Sequence, residues 1–295
     1  MQSTLNDPST IRAILAEAEA LLASGPHPER ARRDAEALVL LALRSDSRAR
    51  NRAWLVTHLD EIPGSDAAAA LREFAKRRFA GEPIQYIVGE TEFYGLDFEV
   101  NRDVLIPRPE TEHLAEKSIA LANGFARPNI LDVGTGSGAI AITLAHELPA
   151  AEIVATDIAS SALAVARRNA ARHGVAERIK FVEADLLGPL ATREFDLIVS
   201  NPPYVPQADS DSLSVEVREF EPALALFAGA DGLAIYRRLI PETFCALIPG
   251  GFLILEIGYG QRAAIEKLLS WSGFKDIGFT ADLQGIPRVA SACRP

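Results

Sequence analysis

Ile130-Leu131-Asp132-Val133-Gly134-Thr135-Gly136-Ser137-Gly138-Ala139 begins as a short apolar run, passes through three closely spaced glycines and resumes in helix-forming residues. This is the order strand, glycine-rich turn, helix. Such a turn lets a ligand approach the backbone where amides point outward at a helix start. Outward from it, strand-like and helix-like patterns alternate to the end of the chain, the signature of a doubly wound, mostly parallel α/β sheet. Seven strands are expected, over 130–133, 152–156, 179–183, 195–200, 252–257, 277–280 and 288–292. Helices are expected near 139–148, 160–173, 233–247 and 261–272. The connection 205–232 is too long for filler and reads as a lid or substrate loop.

The fourth strand ends distinctively: Phe195-Asp196-Leu197-Ile198-Val199-Ser200-Asn201-Pro202-Pro203-Tyr204. Its near-continuous apolar run suits a strand covered on both faces. Neither Pro202 nor Pro203 can extend the ladder, and each pushes its predecessor into extended geometry. Asn201 and Pro202 therefore sit in a stiff turn at the carboxyl end of a central strand, where open α/β sheets bind ligands. The Asn201 side-chain carbonyl and the Pro202 main-chain carbonyl are two acceptors suited to an NH2 group, and Tyr204 offers a flat face for a planar one. A strand ended by a proline turn is the plain alternative, and it fits a generic Asn-Pro pair better than this tetrapeptide.

Asp157 closes the next strand, 23 residues beyond Gly134, where an acidic side chain can take both ribose hydroxyls. The ligand is then a nucleoside derivative. Gly134, Gly136 and Ala139 also satisfy a relaxed dinucleotide fingerprint, which keeps a nicotinamide-dependent oxidoreductase in view. Three features tilt against it. Asp132 sets a carboxylate beside the loop, poor for a pyrophosphate and good for an ammonium; Gly138 comes one residue early; and Asn201 to Tyr204 has no role in hydride transfer. S-adenosylmethionine meets all three, with Thr135 and Ser137 in the loop that holds it. Asp185, ending the third strand, would face the adenine amino group and Leu186 would cover the ring, a strand-end turn being the alternative.

The first 80 residues read as a helical bundle. Ser9 or Thr10 can cap a helix carrying Ile11, Ile14, Leu15, Ala18 and Leu22, followed by a second with Ala31, Ala35, Leu38, Val39 and Ala42. Trp54, Leu55 and Leu59 mark a third, and Leu71, Phe74, Ala75 and Arg78 a fourth. A hairpin is expected over 86–100 and a helix over 111–122, entered through Pro109 and two glutamates. The expected domains are 1–82, helical and substrate-recognising; 83–104, a hairpin linker; and 105–295, catalytic.

A net charge of −10 and a pI near 5.1 disfavour a broad nucleic-acid footprint. Arg30, Arg32 and Arg33, like Lys76, Arg77 and Arg78, read as solvated helix faces. Two distant cysteines, Cys245 and Cys293, suit a reducing cytoplasm, and residues 1–10 lack the pattern of a secretory signal. No apolar run approaches the ~20 residues of a membrane span. The histidines are scattered, and neither a metal site nor a Gly-x-Ser-x-Gly nucleophile is expected.

The glycine loop, Asp157 and the strand-end Asn201 resemble class I methyltransferases, and Asn201-Pro202-Pro203-Tyr204 those that methylate a planar amino or amide nitrogen. Together with Arg33-Asp34-Ala35-Glu36, Gly81-Glu82-Pro83-Ile84, Ile106-Pro107-Arg108-Pro109-Glu110-Thr111-Glu112, Glu221-Pro222 and Asp231-Gly232-Leu233, the chain resembles the peptide chain release factor glutamine methyltransferases (HemK group) over almost its whole length. The resemblance implies a Rossmann-like class I methyltransferase sheet behind a small helical bundle domain. It also implies methyl transfer from S-adenosylmethionine to the glutamine of the release factor Gly-Gly-Gln loop, leaving S-adenosylhomocysteine. Many members carry an aromatic residue where this chain has Leu186. Asn201, Pro202 and Tyr204 would be catalytic, with Pro203 completing the substrate contact and Asn201 also bordering the cofactor. A ribosomal protein glutamine, or an adenine or guanine amino group, is the rival acceptor, and a catalytically silent binding module the remaining one.

Overall fold

The computed structural model describes residues 10–44, 51–190 and 194–295. Ser9, the other candidate cap, and most of the stretch read for a secretory signal lie outside the described residues. The chain forms two compact units, one ending at Gly89 and also including Ser214–Phe220, the other comprising Glu90–Leu213 and Glu221–Pro295.

The first unit contains α1 (Ile11–Ala23), α2 (Ala31–Ala42), α3 (Arg52–Thr57), α4 (Ser65–Phe79) and α5 (Ile84–Val88). Thr10 caps α1, its hydroxyl accepting the Ala13 N–H at 3.3 Å, and the Asn51 side chain caps α3 through Trp54 N–H at 2.9 Å. Ile11, Ile14, Leu15, Leu38, Val39, Leu55, Leu71 and Ala75 are buried together, at the three- and four-residue spacings of the sequence. Burying each leucine or isoleucine contributes about 1.5–3 kcal/mol. Arg78 departs from expectation. It is 2% exposed, not solvated, because its guanidinium meets the Asp34 carboxylate at 2.6 Å, Glu216 at 2.5 Å and the Glu82 carbonyl at 3.0 Å. Such a charge is stable inside only when paired; here Nε and Nη1 are engaged, while Nη2 has no partner among the described residues.

Tyr86, expected to open the hairpin, belongs to α5, which Pro83 starts and Gly89 ends in left-handed geometry at φ 86°. The hairpin follows as β1 (Glu90–Phe93) and β2 (Leu96–Glu99), turned by Tyr94 and Gly95 at φ 53° and 72°. The second unit continues with α6 (Glu112–Ala122), β3 (Asn129–Val133), α7 (Ala139–Glu147), β4 (Glu152–Asp157), α8 (Ser160–Arg172), β5 (Ile179–Glu183) and β6 (Phe195–Ser200). After α9 (Val215–Phe220), which belongs to the first unit, come α10 (Ala234–Ala246), β7 (Leu247–Glu256), α11 (Arg262–Trp271), β8 (Lys275–Ala281) and β9 (Pro287–Cys293). The long connection after β6 is folded: it holds α9, two short 3-10 turns and a parallel bridge between Val205 and Phe227.

The seven-stranded sheet runs β5-β4-β3-β6-β7-β9-β8, parallel from β5 to β7 and antiparallel at β9 and β8. Along β6, Leu197 and Val199 face one core and Phe195 and Ile198 the other. From Leu197 to Val199 this is the period-two alternation of a strand covered on both faces, and Phe195 falls on the Ile198 side because the register shifts between Phe195 and Leu197. Asp196, the polar exception, accepts the Asn129 backbone N–H at 2.7 Å and ties β6 to the start of β3. β7 begins at Leu247 rather than 252 because Leu247 pairs with Phe195 across an irregularity in register.

The chain winds outward from β3 through β4 to β5, then returns to lay β6 on the other side of β3. That reversal is the place where open α/β sheets leave a crevice beyond their strand ends. Register carries the point further. Val133 pairs with Ser200 and with Thr156, and Ser200 with Leu255, so Gly134, Asp157, Asn201 and Glu256 leave one edge of the sheet together.

Candidate active site

The glycine loop is held from below by strand β4. Gly134 and Thr135 donate backbone N–H groups to the Thr156 carbonyl at 2.9 and 2.8 Å, and Gly136 N–H reaches Asp157 Oδ2 at 2.9 Å. All three glycines take left-handed geometry, but for different reasons. A Cβ on Gly134 or Gly136, at φ 75° and 55°, would meet nothing within 4 Å. A Cβ on Gly138, at φ 84°, would lie 2.8 Å from Ile142 Cδ1 and 3.2 Å from Ala166 Cβ. The first two keep the backbone open to a ligand, and the third lets α7 close against α8. Ser137 contributes its carbonyl, which accepts the Asn169 side-chain amide at 2.9 Å.

Asp132 lies beneath the loop, fully buried. Its Oδ2 accepts the Thr135 hydroxyl at 2.6 Å and the Ala141 N–H at 3.2 Å, while its Oδ1, among the described residues, has no partner. Burial pushes the carboxyl up to about 7 against those two hydrogen bonds, helped by the nearby Asp157 charge. Asp157 is also raised by burial, and its Oδ1 accepts the Ala159 N–H at 2.9 Å. A partnerless buried carboxylate oxygen, an open glycine cradle and an acid one strand away fit a nucleoside cofactor carrying an ammonium group.

Asp185 and Leu186 follow β5, with Ala184 N–H tied to the Asp157 carbonyl at 2.9 Å. The Asp185 carboxylate is exposed and engaged by Arg238 at 2.8 Å. Leu186, at φ 54°, packs half-buried against the core on the α10 and α11 side.

At the end of β6 the Asn201 amide nitrogen donates to Thr111 Oγ1 at 3.2 Å. Thr111 in turn donates to Glu256 Oε2 at 2.6 Å, and the Tyr204 hydroxyl to Glu256 Oε1 at 3.3 Å. Among the described residues, neither Asn201 Oδ1 nor the Pro202 carbonyl accepts a hydrogen bond. So the amide nitrogen is committed inward, and the two carbonyl oxygens remain for a donor. Tyr204 is held at both ends, its carbonyl accepting Gln261 Nε2 at 3.0 Å, and its hydroxyl is kept protonated by burial and by the adjacent Glu256. Glu256, 2% exposed, has its carboxyl pushed up to about 7, chiefly by burial.

Arg108 donates to Glu221 Oε1 at 2.6 Å; Glu221 Oε2 accepts the Ile106 N–H at 3.4 Å. This buried staple fastens the segment before α6 to the far end of the long connection. It joins two of the motifs quoted from the sequence. Thr111 stood in such a motif without a role of its own. Glu256 was missed, although it is the one charge in the apolar run Phe252-Leu253-Ile254-Leu255-Glu256-Ile257. Gln261 left no signal.

Among the described residues no three His, Cys, Asp or Glu side chains form a metal-ligating cluster, and no helix is long and apolar enough to cross a membrane.

Residues 13–89 match the model of a PrmC N-terminal domain and residues 112–224 that of a methyltransferase small domain. The release factor glutamine methyltransferase of Geobacter sulfurreducens is 43% identical over 95% of both chains. That of Koribacter versatilis is 44% identical over 90% of this chain and 91% of its own. The solved hMettl16 catalytic domain, crystallised with a MAT2A 3'UTR hairpin, matches 86% of this chain and 96% of its own at a TM-score of 0.58. At 16% identity, that likeness shows the fold alone. Identity above 40% across nine-tenths of both chains places this chain in the release factor glutamine methyltransferase family.

Proposed function

We propose that the protein methylates the side-chain amide nitrogen of the glutamine in the Gly-Gly-Gln loop of peptide chain release factors, supporting translation termination. The observation that carries this is the Asn201 amide: its nitrogen is consumed by Thr111, leaving Oδ1 and the Pro202 carbonyl as a rigid acceptor pair. A primary amide presents two N–H donors to such a pair. Its nitrogen is a poor nucleophile because the lone pair is delocalised into the carbonyl. Hydrogen bonds to Asn201 and Pro202 increase electron density on that nitrogen, and Tyr204, held by Glu256 and Gln261, restricts the plane of the group. Alignment of this kind can supply ~7–11 kcal/mol of a barrier.

S-adenosylmethionine supplies an electrophilic methyl group and leaves as S-adenosylhomocysteine. Gly134, Thr135, Gly136, Ser137 and Gly138 would cradle it, Asp157 would take the ribose hydroxyls, and Asp132 Oδ1 would face the ammonium. Asp185 and Leu186 border the adenine position, and Asp185 must then exchange or share its pairing with Arg238. The alkylated amide is strongly acidic and loses its proton to water or a neighbouring carbonyl, so no general base and no metal is assigned. Residues 1–82 are assigned to recognition of the release factor body, 83–104 to a linker and 105–295 to catalysis. The two free cysteines and the net charge of −10 support a cytoplasmic protein that contacts no nucleic acid directly.

The test is transfer from labelled S-adenosylmethionine to a panel of release factor, ribosomal protein and RNA, with the modified residue located by mass spectrometry. Label on the Gly-Gly-Gln glutamine is expected. Label confined to ribosomal protein or RNA would overturn the assignment. Asn201→Ala should abolish transfer while reducing cofactor affinity only in part, and a near-parental rate would remove Asn201 from its role.

A further inference from the structure

We infer that Glu256, acting through Thr111, is a positioning residue that dictates which end of the Asn201 amide faces the substrate. The inference rests on the reading of Asn201 as the group that holds the substrate amide. An ionised carboxylate has lone pairs and no hydrogen to give. Two hydroxyls point at it, Thr111 at 2.6 Å on Oε2 and Tyr204 at 3.3 Å on Oε1. With its hydrogen committed to Glu256, Thr111 Oγ1 can offer Asn201 only a lone pair, at 3.2 Å. Only the NH2 end of the amide can pair there.

Turning the amide over would set Oδ1 against the buried Oγ1 of Thr111, two acceptors face to face, which costs about 1–3 kcal/mol. The chain of donors therefore runs one way, from Asn201 through Thr111 to Glu256, and leaves Oδ1 outward. Its members come from the entry to α6 and the ends of β6 and β7, and Thr111 and Glu256 are 145 residues apart. Burial of Thr111 and Glu256, 4% and 2% exposed, keeps water from re-donating within the chain. The Tyr236 hydroxyl fixes the Glu256 backbone carbonyl at 2.7 Å, so the carboxylate is anchored at its root as well.

The arrangement has a pH limit. The groups that face Glu256 are the Thr111 and Tyr204 hydroxyls, Tyr236, Glu110 and Arg288. Burial, with help from Glu110, raises its carboxyl to about 7 against the two hydroxyls and Arg288. Once protonated, Glu256 can donate to Thr111, whose hydrogen is then free to turn toward Asn201 Oδ1 and reverse the amide.

The experiment measures kcat and KM for release factor and cofactor from pH 6 to 9 in the parent protein, Thr111→Val, Thr111→Ser and Glu256→Gln. Thr111→Val and Glu256→Gln should lower kcat roughly 10- to 100-fold, the fold-change that corresponds to the about 1–3 kcal/mol holding the amide one way round, with KM for the cofactor unchanged. The parent kcat should fall on the acid side through about pH 7, a limb that Glu256→Gln lacks. Thr111→Ser, which keeps the hydroxyl, should retain both the rate and the limb. Parental kcat in folded Thr111→Val, or an acid limb persisting in Glu256→Gln, would overturn the relay. Should Glu256→Gln fail to fold, the valine and serine variants decide the matter. A parent protein that methylates no release factor would instead overturn the proposed substrate, and that result is read from the parent alone.

Discussion

Replacing Asp132 by asparagine should raise the stability of the cofactor-free protein, and more so at higher pH. An asparagine oxygen can keep both hydrogen bonds that reach Oδ2, from Thr135 and Ala141, while its NH2 takes the place of the unpartnered Oδ1. What disappears is the titration. Unfolded, Asp132 ionises near its ordinary value of 3.8; folded, burial moves it to about 7. Between those values the folded protein holds one proton more than the unfolded chain, so stability falls as pH rises through that window and is level for this group on either side. From pH 5 to 8 the difference covers about two powers of ten in proton affinity, at ~1.36 kcal/mol each, or roughly 3 kcal/mol.

Urea denaturation at pH 5 and pH 8 measures it: Asp132→Asn should gain about 3 kcal/mol on the parent across that interval. The contribution of Glu256, raised in the same direction, is common to both proteins and cancels. The cofactor reverses the sign of the benefit. An ammonium at Oδ1 pulls the carboxyl down, so S-adenosylmethionine should bind the parent more tightly as pH rises through 7 and release a proton, while the asparagine variant binds weakly at every pH. Calorimetry in two buffers of different ionisation enthalpy detects that proton. Parallel stability profiles for parent and variant would refute the argument.

Three further substitutions test charge burial and packing. Arg78→Met should destabilise the first unit by ~3–5 kcal/mol, because Asp34 and Glu216 lose the guanidinium that compensates them inside; a urea midpoint within experimental error of the parent would contradict it. Gly138→Ala should lower Tm, since a left-handed alanine costs ~1–2 kcal/mol and its contacts with Ile142 and Ala166 about 1–3 more. Gly134→Ala, which meets nothing within 4 Å, should lose only the conformational part and weaken cofactor binding instead, and equal Tm losses in the two variants would defeat the distinction.

Much of the architecture was legible because it depends on neighbours in sequence. Period-two and period-3.6 patterns located the strands and helices, and glycines at 134, 136 and 138 marked a turn that other residues reach only with strain. Prolines 202 and 203 stopped a buried strand and left Asn201 at its carboxyl end. The errors lie where local preference was outvoted. Tyr86 reads as strand, yet Pro83 and Gly89 bracket a helical turn around it. Arg78 reads as solvated until Asp34 and Glu216, far along the chain, are brought to it.

The sequence alone determined the order of the sheet strands and their covering helices and the chemical groups available at the strand ends, since these follow from backbone sterics and the spacing of apolar residues. Tertiary structure decided which end of the Asn201 amide is free, which carboxyls hold a proton near neutrality, and that Ser214–Phe220 packs with the helical unit. Those properties are set by desolvation and, for Asn201 and Glu256, by hydrogen-bond partners 52 to 145 residues away. They exist only once folding has removed the water and assembled the neighbours.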